Sequence, residues 1–311
     1  MDKDCQECVV NSERIKISLA FATSCLVWGS TWLAIKIGLS GMPPLLGAGL
    51  RFLLASIILF GIVKVWRIPV PMTSDAKKIY ATLAILSFTI PFAFVYWAEQ
   101  YIPTGLASIL FAGYPFWVAL FSYFMLKNEP LNVFKLSGIV LAFTGMVVIF
   151  SGDVHVADTR AFIAMILMVT NTILQAYSLV LVKKIGQPIN PFAFNFVGMM
   201  VSSILLIGAS VMLESHDSIV WNTATVGSIL YLGIVGSVIV FAAYFWLLKR
   251  VEAVYLSLVS FINPIVAVLL GAIVLGEKLD PNVFVGASFV LLGLLVANGR
   301  ALYTRVSEAL E

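Results

Sequence analysis

Ten unbroken apolar blocks constrain this chain more than any other feature, at 15–39, 44–65, 79–98, 104–126, 134–150, 161–182, 191–213, 226–248, 254–275 and 283–302. Each is about as long as a helix needs to cross ~30 Å of hydrocarbon. The blocks are apolar on every face, so a water-soluble core would have almost no polar surface to show. Charged residues make up only 11% of the chain, against about 25% in ordinary soluble domains. Backbone groups in lipid must be satisfied internally, which leaves helices or a closed barrel. Blocks this apolar on all faces lack the alternation of a barrel strand. The expectation is an all-α integral membrane protein of ten transmembrane helices with short connections and no soluble domain.

The basic residues orient these spans. With the N-terminus in the cytoplasm, 15 of the 19 basic residues fall in cytoplasmic segments. Lys36, Arg160 and Lys278 fall outside and Arg51 lies within a span. A bias this strong obeys the positive-inside rule, and omitting one span would scramble it. Both termini are therefore expected in the cytoplasm.

The chain also repeats itself. "YPFWVALFSYFMLKNE" and "NPIVAVLLGAIVLGE" are matching segments that close on Glu129 and Glu277. Gly138 and Gly145 match Gly286 and Gly293 at one constant offset, Tyr96 matches Tyr244, and Pro115 matches Pro264 with a shift of one residue. Lys36 and Pro44 match Lys183 and Pro191. A unit of five spans is odd, so its second copy inserts upside down. The division is a tail at 1–14, repeats at 15–150 and 161–303, and a tail at 304–311. Inverted repeats are a transporter architecture, with a site near the midplane where the repeats meet.

These segments resemble the EamA-type branch of the drug/metabolite transporters. The resemblance rests on "WGSTWLAIKIGL", "PPLLGAGLRFLLAS", "WAEQYIPTGLASIL" and the two Pro-to-Glu segments, and extends from about Leu19 to Gly299. The stretch around Glu99 is most similar to the pigment and metabolite exporters. The resemblance implies ten spans in two inverted five-helix repeats, a bacterial inner membrane, and export of amino acids or similar metabolites.

Ionisable side chains inside spans are expensive and usually functional. Arg51 and Glu99, both toward the outer leaflet in this topology, are the candidates for a gate or a substrate-linked ion pair. Glu129 and Glu277 end apolar helices and suit capping and anchoring. Polar and aromatic side chains are the better candidates for substrate contact: Trp28, Ser30, Thr31 and Trp32 on the first span, and Asn171, Gln175 and Tyr177 on its repeat mate. Asn171, Gln175 and Ser178 share one helix face. Tyr96 and Trp97 pair with Tyr244 and Trp246 across the repeat. Pro115 and Pro264 would each free a backbone carbonyl in mid-span, and Ser257, Ser260 and Asn263 precede the second. The glycines within spans are explained by close helix packing.

Other chemistries find little support. Cys5 and Cys8 form a lone CxxC in the N-terminal tail, without the second ligand pair of a zinc site, and His155 and His216 lie in separate loops. No metal or cofactor is expected. No Walker motif is present and no soluble domain could hold a nucleotide, so energy must come from a substrate or ion gradient. A lipid-modifying transferase would need acids, bases or metal ligands clustered at the interface. The expected partners are a small-molecule substrate and the bilayer, with protons open as coupling ion, no nucleic acid, and a monomer or weak dimer. Facilitated exchange of a nucleobase, sugar or cationic drug is the alternative.

Overall fold

The computed structural model describes residues 3–102, 107, 110–126, 132–150, 159–275 and 281–297. Glu129, Glu277, His155 and the 304–311 tail lie outside the described residues, as do the side chains of Cys5 and Cys8. No strand occurs among the described residues.

The first half comprises α1 (Lys3–Leu39), α2 (Pro44–Val65), α3 (Ser74–Ala98), α4 (Tyr114–Met125) and α5 (Val133–Phe150). The second comprises α6 (Thr159–Ile185), α7 (Pro191–Leu213), α8 (Thr223–Leu248), the short α9 (Ala253–Ser257), α10 (Val259–Leu275) and α11 (Pro281–Ala297). Residues 3–14, read from sequence as a tail, continue the first helix. Six helices are long and apolar enough to span a bilayer: the first three of each half, with α1 counted from Glu13. The apolar helices α5, α9–α10 and α11 are shorter within their described parts.

The starts of matched helices use matched chemistry. Pro44 and Pro191 open α2 and α7, where a missing N–H costs nothing. Thr73 Oγ1 accepts from Ala76 N at the start of α3, and Asn222 Oδ1 accepts from Thr225 N at the start of α8. These caps satisfy donors that no preceding turn can reach.

The halves interlock through equivalent helices running antiparallel. Along α2 and α7, Gly49 closes on Ile207 while Trp66, at the far end, packs on Phe192 with ring centroids 5.5 Å apart. In α5 and α11, a Cβ on Gly138 would sit 2.5 Å from the Gly293 carbonyl oxygen, and one on Gly145 would sit 2.4 Å from that of Gly286. The glycines matched by repeat analysis thus meet one another. Another reciprocal pair of contacts joins α1 to α10 and α4 to α6. Many large apolar side chains, such as Phe124, Met212 and Ile273, point outward, as a surface facing lipid requires.

The third helix of each half carries a feature not expected from sequence. A π-helical stretch interrupts α3 at Leu83–Thr89 and α8 at Ile234–Ile239. Such bulges release backbone groups from the regular ladder and frequently mark functional sites.

Candidate functional site

The two π stretches flank a central cavity of about 90 Å³. Its walls come from both halves. From the first, α1 supplies Trp28, Thr31, Trp32 and Ile35, α2 supplies Arg51, and α3 supplies Ser87, Phe92 and Val95. Phe111 and Tyr114 enter where the chain turns into α4. From the second half, α6 supplies Gln175 and Leu179, α8 supplies Phe241, Tyr244 and Phe245, and the α9–α10 region supplies Ser257, Val259, Ser260 and Asn263.

Aromatic contacts shape the interior. Trp28 lies against Tyr244 and Phe241, with centroids 4.6 and 5.2 Å apart. The Tyr114 and Tyr244 hydroxyls approach to 3.3 Å across the halves. Phe111 stacks on Tyr114 at 5.4 Å and meets Trp32 at 6.1 Å. Such pairs contribute about 0.5–1.5 kcal/mol beyond their buried area and hold rings in set orientations. The result is a small cavity with largely aromatic walls.

The π stretches place the polar groups. In α8, Ser237 Oγ donates to the Leu232 carbonyl five residues back and accepts from Arg51 Nε, both at 2.8 Å. Arg51 Nη2 donates to the Gly236 carbonyl at 2.8 Å. In α3, Ser87 shares a 2.6 Å hydrogen bond with Ser178 of α6. Each π-stretch serine thus bonds to the opposite half. Gly236 permits the approach, since a Cβ there would lie 3.0 Å from Thr31 Cγ2.

The other polar groups are mostly tied down. Gln175 Nε2 donates to Asn171 Oδ1 at 2.7 Å. With its amide oxygen and nitrogen exchanged, Asn263 donates to the carbonyls of Cys25 and Val259. Pro264 has no N–H to give the Ser260 carbonyl, and Ser260 lines the cavity. Pro115, expected in mid-span, instead occupies the first turn of α4 after a break at Ala112–Gly113, where it costs no helical hydrogen bond.

Of the residues singled out from sequence, Trp28, Thr31, Trp32, Arg51, Gln175, Tyr244, Ser257, Ser260 and Asn263 line this cavity. Asn171 is buried just behind Gln175. Ser30 instead bonds the Tyr231 hydroxyl at 2.5 Å, on the α8 side of α1. Tyr96 lines a separate small cavity with Gly47 and Thr225. Trp97 packs at a tilt against Tyr101 at the end of α3, and Tyr177 is 36% exposed on the outer surface. Pro115 and Pro264 are buried without lining it. Ser87, Phe92, Phe111, Tyr114, Phe241 and Phe245 were not singled out. Phe241 lies one turn from Tyr244, so helical spacing reaches it.

Arg51 and Glu99 do not pair with each other. Glu99, one residue past the end of α3, is fully buried, and neither carboxylate oxygen has a hydrogen-bond partner. Burial pushes its carboxyl well above the ordinary value, and Lys36 partly offsets the effect. Lys36 Nζ donates to the Glu99 backbone carbonyl at 2.7 Å. Its repeat mate Lys183 donates to the Leu248 and Val251 carbonyls at the end of α8. The matched lysines therefore hold the carbonyl ends of the two third helices, at opposite ends of the bundle. Near Lys183, Lys135 pairs with Glu252, and Lys249 Nζ donates to the Gln187 and Ile189 carbonyls, each at 2.7 Å.

Known proteins resemble this chain over nearly its full length. The profile of the EamA-like transporter family matches residues 15–151 and 162–299. The uncharacterized transporter YoaV of Bacillus subtilis is 26% identical over 282 residues, covering 91% of this chain and 96% of the relative. Protein PagO of Salmonella typhimurium is 26% identical, covering 86% of this chain and 88% of its own. The uncharacterized inner membrane transporter YedA of Escherichia coli K12 is 27% identical over 89% of both. A crystal structure with 17% identity superposes with a TM-score of 0.78, covering 93% of this chain and 98% of the other, a likeness of fold.

Proposed function

The chain belongs to the EamA-like transporter family and is a multi-pass membrane transporter, and on that footing we propose that it exports amino-acid-like or aromatic metabolites by alternating access. In this reading ten helices span a bacterial inner membrane as two oppositely inserted repeats with both termini cytoplasmic. The observation that carries it is the central cavity, whose walls are shared between repeats whose equivalent helices pack antiparallel. Rocking such halves would expose one cavity to either side in turn. The Lys36 and Lys183 clamps then belong to the outer and inner faces, and the Lys135–Glu252 pair to the inner closure.

Facilitated exchange without a coupled ion is favoured by one specific feature: no carboxylate lines the cavity among the described residues. Purified protein in liposomes, offered a panel of radiolabelled amino acids and aromatic metabolites with and without a pH gradient, tests both points. Saturable flux that ignores the gradient supports exchange. Flux that follows the gradient refutes it, and absence of saturable flux across the panel refutes the proposed substrate class.

A further inference from the structure

Glu99 lies at one end of the central cavity, where α1 and α3 come together. Toward that end the last lining residue on α1 is Ile35, and on α3 it is Val95. Lys36 follows the first directly, and Glu99 lies one turn beyond the second. Lys36 Nζ donates to the Glu99 carbonyl at 2.7 Å, so one contact roofs the cavity. The helices it joins have different partners, since α1 packs on α8 and α10 while α3 packs on α6 and α7. Separating α1 from α3 at this end would break the contact and open the cavity there.

The Glu99 carboxyl takes no part in that contact. It is fully buried, and neither oxygen has a hydrogen-bond partner. The charged and titratable groups around it are Lys36 from α1, Tyr96 one turn earlier on α3, and Arg51 from α2 beyond Tyr96. Lys36 holds the backbone carbonyl, and Arg51 is held by Ser237 and Gly236. No ion pair among the described residues includes Glu99. Lys36 itself is exposed, so water lies one side chain away from the carboxyl.

A buried carboxylate without a donor is strongly disfavoured, and such a group takes up a proton instead. Opening the roof would admit water and let the carboxyl ionise. The closed form therefore holds a proton that the open form releases, and the two equilibria are linked.

We propose that Glu99 is a proton-binding site at the outer end of the bundle, where an external proton holds the cavity closed to that side. The inference rests on the transporter reading and the orientation given above. The proton arrives from and returns to the same side, so it sets the rate of exchange and drives no accumulation. Closure is favoured below the ordinary carboxyl value of about 4.3, which the hydrated open form keeps. That preference is lost as external pH rises through the higher value of the closed form.

Two measurements on the full-length protein in liposomes test this. Infrared difference spectra should show a protonated-carboxyl band that persists where ordinary carboxyls are ionised and is missing in Glu99→Gln. Spin labels at Ser40→Cys and Gln100→Cys, exposed at the ends of α1 and α3, report the roof in a Cys5→Ser, Cys8→Ser background. Their separation should lengthen as external pH rises, and Glu99→Gln should keep the short acid distance at every pH. The wild-type band and distances carry the test if Glu99→Gln fails to fold. Absence of the band, a distance that ignores pH, or lengthening that persists in Glu99→Gln overturns the proposal. Saturable flux with a pH-independent distance would remove the proton site and leave transport standing. A pH-dependent roof without flux across the radiolabelled panel would do the reverse.

Discussion

Arg51 Nε donates to Ser237 Oγ at 2.8 Å, a contact joining the second helix of one repeat to the π stretch of the third helix of the other. The same serine donates to the Leu232 carbonyl, so one hydroxyl both caps the bulge and positions the guanidinium. Replacing Ser237 by Ala strands a buried charged donor, at a cost of about 1–3 kcal/mol. Thermal unfolding in detergent should show a lowered midpoint. An unchanged midpoint would mean that Arg51 finds another acceptor and the π stretch is not its scaffold.

The antiparallel α5–α11 seam depends on glycine. A methyl group at Gly145 would meet the Gly286 carbonyl oxygen at 2.4 Å and Phe289 Cβ at 2.8 Å. Gly145→Ala should therefore destabilise by about 1–3 kcal/mol, as overpacking does. Gly61 has nothing within 4 Å of the same position, and Gly61→Ala should be neutral or stabilising by up to ~1 kcal/mol through helix propensity. Comparing the two melting points checks the seam directly, and equal responses would contradict it.

Glu99 makes stability depend on pH. Its carboxyl lies above the ordinary value in the folded chain, so the folded state binds the proton more tightly than the unfolded one. The resulting stability is full below the unfolded value of about 4.3 and is lost as pH rises through the folded value. Lys36 and Tyr96 are the charged and titratable groups coupled to it. The wild-type melting temperature should fall as pH rises above about 5, and Glu99→Gln should flatten that slope. An identical slope in the variant would assign the dependence to another group.

Glu214 tethers the halves at the end holding the α1–α2 turn. Its two carboxylate oxygens accept from Leu45 N at 2.8 Å and Leu46 N at 3.1 Å, in the first turn of α2. A carboxylate there satisfies orphan donors and complements the helix dipole. Glu214→Ala should cost about 0.5–2 kcal/mol, read by chemical or thermal unfolding. Glu214→Gln should recover part of that loss, since an amide oxygen can still accept.

Much of the architecture was legible in the sequence because lipid imposes it. Apolar block length and the repeated glycines each leave a mark on the residue string, and Gly138 and Gly145 meet Gly293 and Gly286 across the halves. The cavity was partly legible. Trp28 and Tyr244 stand out as polar-edged aromatics on repeat-related spans, and they touch. Tyr177 did not come inward because two residues from Gln175 turn the helix by about 200°. The π stretches left no readable sign, since Ser87 and Ser237 sit in ordinary apolar surroundings. The unpaired state of Glu99 was equally hidden: a charged residue at a span end reads as solvated until the neighbouring helices bury it.

The central claim is that the cavity between the repeats is the path of the cargo. Counterflow of radiolabelled tryptophan and indole-3-acetate in liposomes, comparing the wild-type chain with Trp28→Ala, tests it most directly. The account predicts saturable exchange in the wild type and at least a tenfold loss in kcat/KM for a variant that still folds and inserts. Equal saturable flux through both proteins would contradict it.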